Sequence, residues 1–450
     1  MKICILLFPV AVIVLVAGSC VAGESAGSRD AGAPRQLADY LRDAALQNAG
    51  LKAAFERWKA AVEKVPQARA LPDPRFTYGY FIREVETRVG PQRHRVGLSQ
   101  VFPWFGKIEA RTDAAAAAAK AARKRYEAAK LRVFFEVKEA FYEYSYLARA
   151  VEIAKENLAL IKHFEEVARA KYTAAAAGHP DLVRAQIEQA KLEDRLKSLE
   201  ELRGPIVARL NAILNREISL ELPWPEREEF RSASIDRQKF AELLKARNPD
   251  LAALGYELES ARSRVELAGK SNYPDIGVGV DWIATDRSSM DVSDSGKDPV
   301  ILMFTMNLPV WRKSYQAAEI EAKARLRMAS QKKRETENSL IAYGERVLYD
   351  FEDSDRKARL YGDVLRPKAE ELIEASETAY KAGSVDFLSL LDAQRMLLEY
   401  ALLGERATAD RAQRLAELEM LAGTELATET SHASSGGRGE TENAGKNVGE

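Results

Sequence analysis

The two halves of this chain repeat one another at a nearly constant spacing, and this repetition limits the possible folds more than any other feature of the sequence. Eight residues recur 200 positions later, and those of the first half are Asn48, Leu51, Ala53, Ala61, Val65, Ala68, Pro74 and Gly79. The spacing grows to 206 at Pro103 and Lys107, and to 208 at Tyr172, Ala185, Gln186 and Leu210. Chance identities do not hold such a spacing, so the chain is a duplication. We place the copies at 36–215 and 235–424, separated by a linker at 216–234.

Each copy contains the same order of predicted elements. The first copy has a helix at 36–67, an extended region at 74–102, a very long helix at 108–172 and a shorter helix at 181–215. The second has helices at 236–270, 315–379 and 387–424, with extended segments at 274–308. The composition is rich in Ala, Glu, Lys, Arg and Leu, which favours helices. A helix over 108–172 spans roughly 100 Å. The two shorter helices together match that length, so we expect a rod-like coiled-coil hairpin.

Segments within both extended regions alternate apolar residues with small or polar ones. The apolar series of the first segment is Phe76, Tyr78, Tyr80 and Ile82, and that of the last is Val300, Leu302, Phe304, Met306 and Leu308. Alternation over about nine residues is typical of a strand that crosses a membrane with its apolar side toward lipid. A soluble, half-buried hairpin has the same periodicity and remains the alternative. Four strands are too few to close a barrel, so a membrane role requires several chains.

The N-terminus has the pattern of an export signal. Lys2 precedes an apolar run that ends at Ala17, and small residues follow as far as Cys20. A signal peptide at 1–19 leaves Cys20 as a lipid-attached first residue, because residues 17–20 are similar to a bacterial lipobox. Cleavage after Ala22, which gives a signal peptide at 1–22 and no lipid, is the alternative. The remaining sequence has no uninterrupted apolar run of about 18 residues, so we expect no helical membrane span.

Composition argues against several classes of function. The 67 basic and 68 acidic residues leave a net charge of -1, which argues against nucleic-acid binding. Cys4 and Cys20 lie within the first 20 residues, and the chain has four histidines, so we expect no disulfide and no metal site in the mature body. The sequence contains no nucleophile motif and no phosphate-binding loop, so we expect neither an enzyme nor a cofactor. Residues 428–450 are predicted to form a disordered tail.

Four short motifs resemble those of the TolC-like outer-membrane efflux proteins, and they are Gln100-Val101-Phe102-Pro103-Trp104-Phe105-Gly106-Lys107, Leu71-Pro72-Asp73-Pro74, Tyr273-Pro274-Asp275 and Leu308-Pro309-Val310-Trp311. The resemblance covers roughly residues 36–424. It implies a mainly α fold with membrane β structure. By this resemblance we expect three chains, with four strands each, to form a twelve-stranded outer-membrane β-barrel that a periplasmic α-barrel continues. It also implies a passive conduit for metal ions, drugs or other small molecules, working with a periplasmic adaptor and an inner-membrane pump of the RND type.

The resemblance further implies a gate at the tips of the helical hairpins. By position, Asp181 corresponds to the acidic residue of the first tip, and Tyr380 and Asp392 correspond to the gate tyrosine and one of two acids of the second tip. Ser389 replaces the other acid, and Val385 replaces the arginine of the family. A three-fold axis through the tips makes a ring of three copies of Asp392, which attracts cations.

Several of these residues have a structural alternative. Asp181 follows Gly178-His179-Pro180 and is alternatively the N-cap of the next helix. Tyr380 is alternatively a packed core residue. Trp104, Trp282 and Trp311 lie near strand ends, where they are either membrane-interface anchors or core residues.

A periplasmic coiled-coil adaptor or scaffold protein without a pore is the alternative function. An adaptor requires a lipoyl-like β-domain between the arms of its hairpin. The segments at 74–102 and 274–308 are too short for such a domain, so the sequence favours the conduit.

Overall fold

The computed structural model describes residues 34–226 and 234–426. The predicted signal peptide, Cys20 and the tail at 428–450 lie outside the described residues, as do residues 227–233 of the predicted linker. Within the described ranges, no helix is both long enough and apolar enough to span a membrane.

The element order repeats as the duplication requires. The first repeat consists of α1 (Leu37–Gln47), α2 (Ala49–Arg69), β1 (Arg75–Val85), β2 (Gln92–Phe102), α3 (Lys107–Thr173) and α4 (His179–Ile213). The second consists of α5 (Arg237–Arg247), α6 (Pro249–Lys270), β3 (Ile276–Thr285), β4 (Val300–Met306), α7 (Arg312–Arg359), a π-helical turn (Leu360–Leu365), α8 (Arg366–Ala382) and α9 (Phe387–Ala422). The very long helix and the four strands confirm the predicted fold class.

The prediction of single helices over 36–67 and 236–270 is wrong, because each region divides at an asparagine. The side chain of Asn48 accepts a hydrogen bond from the backbone N–H of Leu51 (2.9 Å) and donates one to the carbonyl of Ile213 (2.8 Å). Asn248 repeats both bonds, with Leu251 (3.0 Å) and with the carbonyl of Leu421 (2.9 Å). Asparagine is a favoured N-cap, and here its amide also ties the corner to the end of the last helix of its repeat.

The predicted helix over 315–379 is also interrupted, at the π-helical turn between α7 and α8. Pro367, which lacks a backbone N–H, lies in the first turn of α8, directly after the π-helical turn. Opposite the turn, α9 has Gly404, at which an added Cβ would lie only 3.4 Å from the Cβ of Tyr361. The turn therefore accommodates the proline and brings the backbones of α9 and the π turn close together.

Helix α3 is the central rod, and helices of both repeats pack along it. In the first repeat, Arg111 of α3 donates to the carbonyl of Ala68 in α2 (2.7 Å), and Arg203 of α4 donates to the hydroxyl of Tyr144 in α3 (3.2 Å). Thus α2 and α4 lie along successive parts of α3, as the helix lengths predicted. The second repeat adds α6, whose Ser260 donates to the carbonyl of Ala114 (2.8 Å). The alanine-rich start of α3 permits this close approach.

The four strands form one antiparallel sheet in the order β1-β2-β3-β4, in which β2 and β3 join the two repeats. One row across the sheet is Phe76, Leu98, Val280 and Leu302, and the next is Thr77, Gly97, Asp281 and Ile301. Successive rows point to opposite faces. The first face is apolar and exposed, with Ile82 92% accessible. The second carries small and polar residues, including an ion pair in which Arg95 donates to buried Asp281 (2.8 Å).

The asparagine corners make a prediction about stability. Asn248→Ala removes the cap of α6 and the bond to Leu421, and we expect it to lower the free energy of unfolding by about 1–3 kcal/mol. Asn248→Ser keeps a cap acceptor but is too short to donate to Leu421, so we expect an intermediate loss. Thermal unfolding of the detergent-solubilised protein measures both. A melt of Asn248→Ala that matches wild type would contradict this role for the corner.

Candidate functional site at the hairpin tips

The tips are the turns that join α3 to α4 and α8 to α9. The first turn runs from Ala174 to Gly178, and the second from Gly383 to Asp386. Side chains from all four helices form a common core beside these turns, consisting of Phe164, Ala168, Ala185, Tyr380, Phe387, Leu390 and Leu391. The two tips of one chain are therefore packed against each other.

Asp181 lies in the first turn of α4, three residues after the N-cap Gly178. Its side chain is half-buried, and its carboxylate lies 3.5 Å from the guanidinium of Arg184. The interpretation of Asp181 as the N-cap is wrong, because no side chain caps this helix and the backbone of Gly178 takes the capping position. A carboxylate in a first turn is nonetheless favoured by the helix dipole.

Tyr380 is buried, at 4% accessibility, in the last turn of α8. Its ring lies against Phe387, with 5.3 Å between ring centroids. The hydroxyl has no hydrogen-bond partner within the residues that the structure describes. Burial, reinforced by the negative charge of Asp181, raises the pKa of Tyr380 above its ordinary value. The structure thus brings Tyr380 and Asp181 near one another, with the tyrosine inside the packed tip.

Asp392 belongs to a neighbouring cluster that sequence reasoning missed. Its carboxylate is exposed and lies 3.3 Å from Arg395. Arg395 also donates to buried Glu188 of α4, which pairs with Lys191 at 2.9 Å. Burial opposes ionisation of Glu188, but the hydrogen bonds from Arg395 and Lys191 outweigh it and lower the pKa of the carboxyl. The cluster joins α4 to α9 across the two repeats.

The two departures from the gate pattern have structural consequences. Asp386 is the N-cap of α9, and its carboxylate accepts hydrogen bonds from the backbone N–H (3.0 Å) and hydroxyl (2.6 Å) of Ser389. The hydroxyl bond is the main reason that the pKa of Asp386 is lowered. Ser389 is therefore engaged in the cap. Val385 lies in the preceding turn and supplies no charge, so the arginine of the family has no substitute there.

The equivalent glutamines of the two repeats both bind the central helix. Gln186 of α4 donates to Glu165 of α3 (3.3 Å), and Gln394 of α9 donates to Asn157 of α3 (3.2 Å). The recurrence of glutamine at positions 208 residues apart was the feature of the sequence that indicated an equivalent role for Gln186 and Gln394. Arg395 and Lys171 (the latter described below) have no such signal, because the equivalent positions are Ile187 and Ala379.

A cavity of about 1160 Å³ lies away from the tips, between α3, the start of the linker, the π turn and α9. Its aromatic lining includes Trp224, Tyr146, Tyr361 and Tyr400. Among the described residues no group of three or more histidine, cysteine or acidic side chains is arranged to hold a metal ion.

Two repeats of long helical hairpins, joined to a four-stranded sheet with one exposed apolar face, define the fold of outer-membrane channel proteins. The chain belongs to the outer membrane efflux protein family, whose model matches residues 40–216 and 241–424. It is 22% identical over 405 residues to Nodulation protein T of Rhizobium leguminosarum bv. trifolii, covering 86% of this chain and 85% of that protein. It is 22% identical over 382 residues to the cobalt-zinc-cadmium resistance protein CzcC of Cupriavidus metallidurans, and this match covers 82% of this chain and 86% of CzcC.

The fold is similar to that of the outer membrane protein VceC from Vibrio cholerae. The TM-score is 0.71 at 18% identity, and the match covers 86% of this chain and 96% of VceC. Family membership confirms the predictions of the family, of an outer-membrane location with a periplasmic extension, and of a role that is not enzymatic. Proteins of this family work with periplasmic adaptors and inner-membrane pumps.

The pair of Glu188 and Arg395 makes a prediction about pH. Because the folded state lowers the pKa of Glu188, its stabilisation is present above the ordinary value of 4.5 and is lost as the pH falls through the folded value. We expect Glu188→Gln to destabilise the protein by about 1–2 kcal/mol at pH 7 and to have a progressively smaller effect as the pH falls below 4.5. Thermal melts across this pH range measure it, with exposed Glu201→Gln as the control. An effect of Glu188→Gln that does not change with pH would contradict the assignment.

Proposed function

We propose that three copies of this chain form the passive outer-membrane conduit of a tripartite efflux system. The observation that carries the proposal is the sheet, which is open at both edges. Strands β1 and β4 each have one edge that no other described strand covers. Exposed backbone donors and acceptors are not tolerated in lipid, so further strands must cover them. Four strands from each of three chains give a closed barrel of twelve.

The exposed face of the sheet fits lipid. Strands β1, β2 and β3 have 11, 11 and 10 residues, close to the length of about 9–11 that crosses a bilayer. At the junctions where β2 leads to α3 and β4 leads to α7, Phe105 and Trp311 are 82% and 78% accessible. This exposure supports an interface-anchor role for Trp311. Trp104 instead stacks on Tyr273, with 5.4 Å between ring centroids, and packs within the chain.

We further propose that the tips form the periplasmic constriction, with Asp181, Tyr380 and Asp392 in it. The exposed carboxylate of Asp392 supports this role, because a three-fold axis through the tips would assemble three such carboxylates into a ring that binds cations. Closure of the tips depends on contacts between the two repeats, since α4 and α9 meet through Glu188 and Arg395.

For partners, the proposal includes a periplasmic adaptor, an inner-membrane pump of the RND type and the lipid of the outer membrane. Cys20 is the proposed site of covalent lipid attachment. The exported cargo is metal ions, drugs or other small molecules. The similarity to CzcC, whose name refers to cobalt, zinc and cadmium resistance, supports the inclusion of metal ions. The alternative function, a periplasmic coiled-coil adaptor or scaffold without a pore, does not fit the outer-membrane location of the family.

Fractionation and pore formation separate the two functions. The conduit requires recovery from the outer membrane as a trimer that dissociates on heating, and ion-conducting pores when the purified protein is added to planar bilayers. A soluble periplasmic monomer without pore activity would instead support the scaffold and overturn the proposal.

The ring of Asp392 carboxylates makes a quantitative prediction. Asp392→Ala removes one charge from each chain, and we expect divalent cations to block the pore about tenfold more weakly, a change of about 1.4 kcal/mol. Asp194→Ala, at an exposed position on α4, is the control, and divalent cations should block its pore as strongly as the wild-type pore. Current through single pores at increasing divalent-cation concentration gives the block constant. Equal block of the Asp392→Ala and wild-type pores would remove Asp392 from the constriction.

A further inference from the structure

One lysine joins the end of the first hairpin's long helix to the end of α8. Lys171 lies in the last turn of α3, and its ammonium group donates a hydrogen bond to the backbone carbonyl of Tyr380. The same ammonium group lies 4.2 Å from the centroid of the Tyr380 ring. A single side chain therefore makes two contacts with one residue that is 209 positions away.

The carbonyl of Tyr380 is a favourable acceptor. It belongs to the last turn of α8, which ends at Gly383 in the left-handed conformation (φ 77°). The backbone N–H of Gly383 also donates to this carbonyl, at 3.0 Å. Carbonyl groups at the end of a helix carry partial negative charge, so a cation is stabilised there. The ammonium group of Lys171 thus satisfies a helix end as well as an aromatic face.

The hydroxyl of Tyr380 does not make this connection. Its oxygen is buried and has no hydrogen-bond partner in the described part of the chain. A buried oxygen cannot reach a neighbouring chain while the tip keeps this conformation. What holds Tyr380 in place is its ring, between Lys171 and Phe387, together with its backbone carbonyl.

The equivalent tip position lacks this arrangement. Tyr172 corresponds to Tyr380 in the repeat, and Ala379 corresponds to Lys171. Tyr172 is exposed, and its ring contacts His179 at 5.3 Å between centroids. The lysine is therefore a feature of one repeat alone, and it fastens the second tip to the first.

We propose that Lys171 is the latch of the conduit, a positioning residue that holds the tip of α8 and α9 against α3 in the closed state. This inference rests on the proposed function, because a latch has meaning only if the tips open. Two ion pairs that also join the repeats near the tips lie farther from the turns. They are Arg395 with Glu188, and His163 with Glu377 at 3.1 Å, where Glu377 is also bound by Lys381. Lys171 acts closer to the end of the hairpin than either pair.

Single-pore recording of the full chain in planar bilayers tests the latch. Lys171→Met keeps the apolar stem but removes the charge and the donor. We expect the ratio of open to closed time to rise about tenfold, which corresponds to about 1.4 kcal/mol. Lys171→Arg retains both contacts and should stay within about twofold of wild type. Lys162→Met, at an exposed lysine on the same helix, is the matched control.

A chemical rescue keeps the test independent of folding. The Lys171→Cys protein is first allowed to fold and form pores, and the open pores are then treated with a methanethiosulfonate reagent. The 2-aminoethyl reagent restores an ammonium group at residue 171, and the methyl reagent does not. We expect only the aminoethyl reagent to return the open-to-closed ratio toward wild type.

The outcomes separate the latch from the function on which it rests. If wild type forms no pores, the proposed function fails. If wild type forms pores but Lys171→Met gates like Lys162→Met, or if both reagents act alike on Lys171→Cys, the latch alone is overturned.

Discussion

The free edges of the four-stranded sheet are the constraint on which the rest of the structure depends. Strands β1 and β4 each present unpaired backbone groups along one side, next to a face of exposed apolar residues. In a bilayer such groups must be paired, and this chain has no further strand among its described residues to pair them. In the proposed trimer, copies of the same chain meet this requirement, because the sheet is antiparallel and β4 of one copy can continue to β1 of the next. The helices of the three copies would then surround the same axis.

The duplication explains how one chain links its sheet to its rods. Strands β2 and β3 pair across the boundary between the repeats, and α3 carries helices from both. Asn48 and Asn248 turn the chain at equivalent corners and bind the ends of α4 and α9. The repeats differ at the π turn, which has no counterpart in α3, and at the tips. The contact of Lys171 with Tyr380 has no equivalent in the other repeat. Arg395 likewise binds Glu188, whereas the residue equivalent to Arg395 in the first repeat is Ile187. Symmetric elements build the scaffold, and asymmetric side chains join the two hairpins.

Local pattern predicted most of the fold and little of the tip. The alternation at Phe76–Ile82 and the helical composition of 108–172 act over neighbouring residues, so the strands and α3 were predictable. Asn48 and Asn248 were recognised as repeated residues. The helix breaks at these two residues were not predicted, because hydrophobic periodicity carries no information about a helix cap. The π turn at Leu360–Leu365 depends on close packing against Gly404. The contact between Lys171 and Tyr380 joins residues that are distant in sequence, and no spacing within either repeat encodes it. The sequence placed Asp181 at the first tip, and it lies in the first turn of α4. Its proximity to Arg184 and Tyr380 could not be predicted, because it depends on the packing of the folded tip.

Pairing between the free edges is the central claim, and cysteine cross-linking measures it directly. A cysteine at Phe76 on β1 is combined with one at Val300, Leu302 or Phe304 on β4, since all four side chains lie on the exposed face. Within one chain these strands are about 14 Å apart, too far for a disulfide, which joins Cα atoms closer than about 7 Å. Each single-cysteine variant is the control. The account predicts that at least one of these double-cysteine variants forms disulfide-linked dimers and trimers and no larger species. The absence of any intermolecular disulfide in the whole scan, or a ladder that continues beyond three chains, would contradict it.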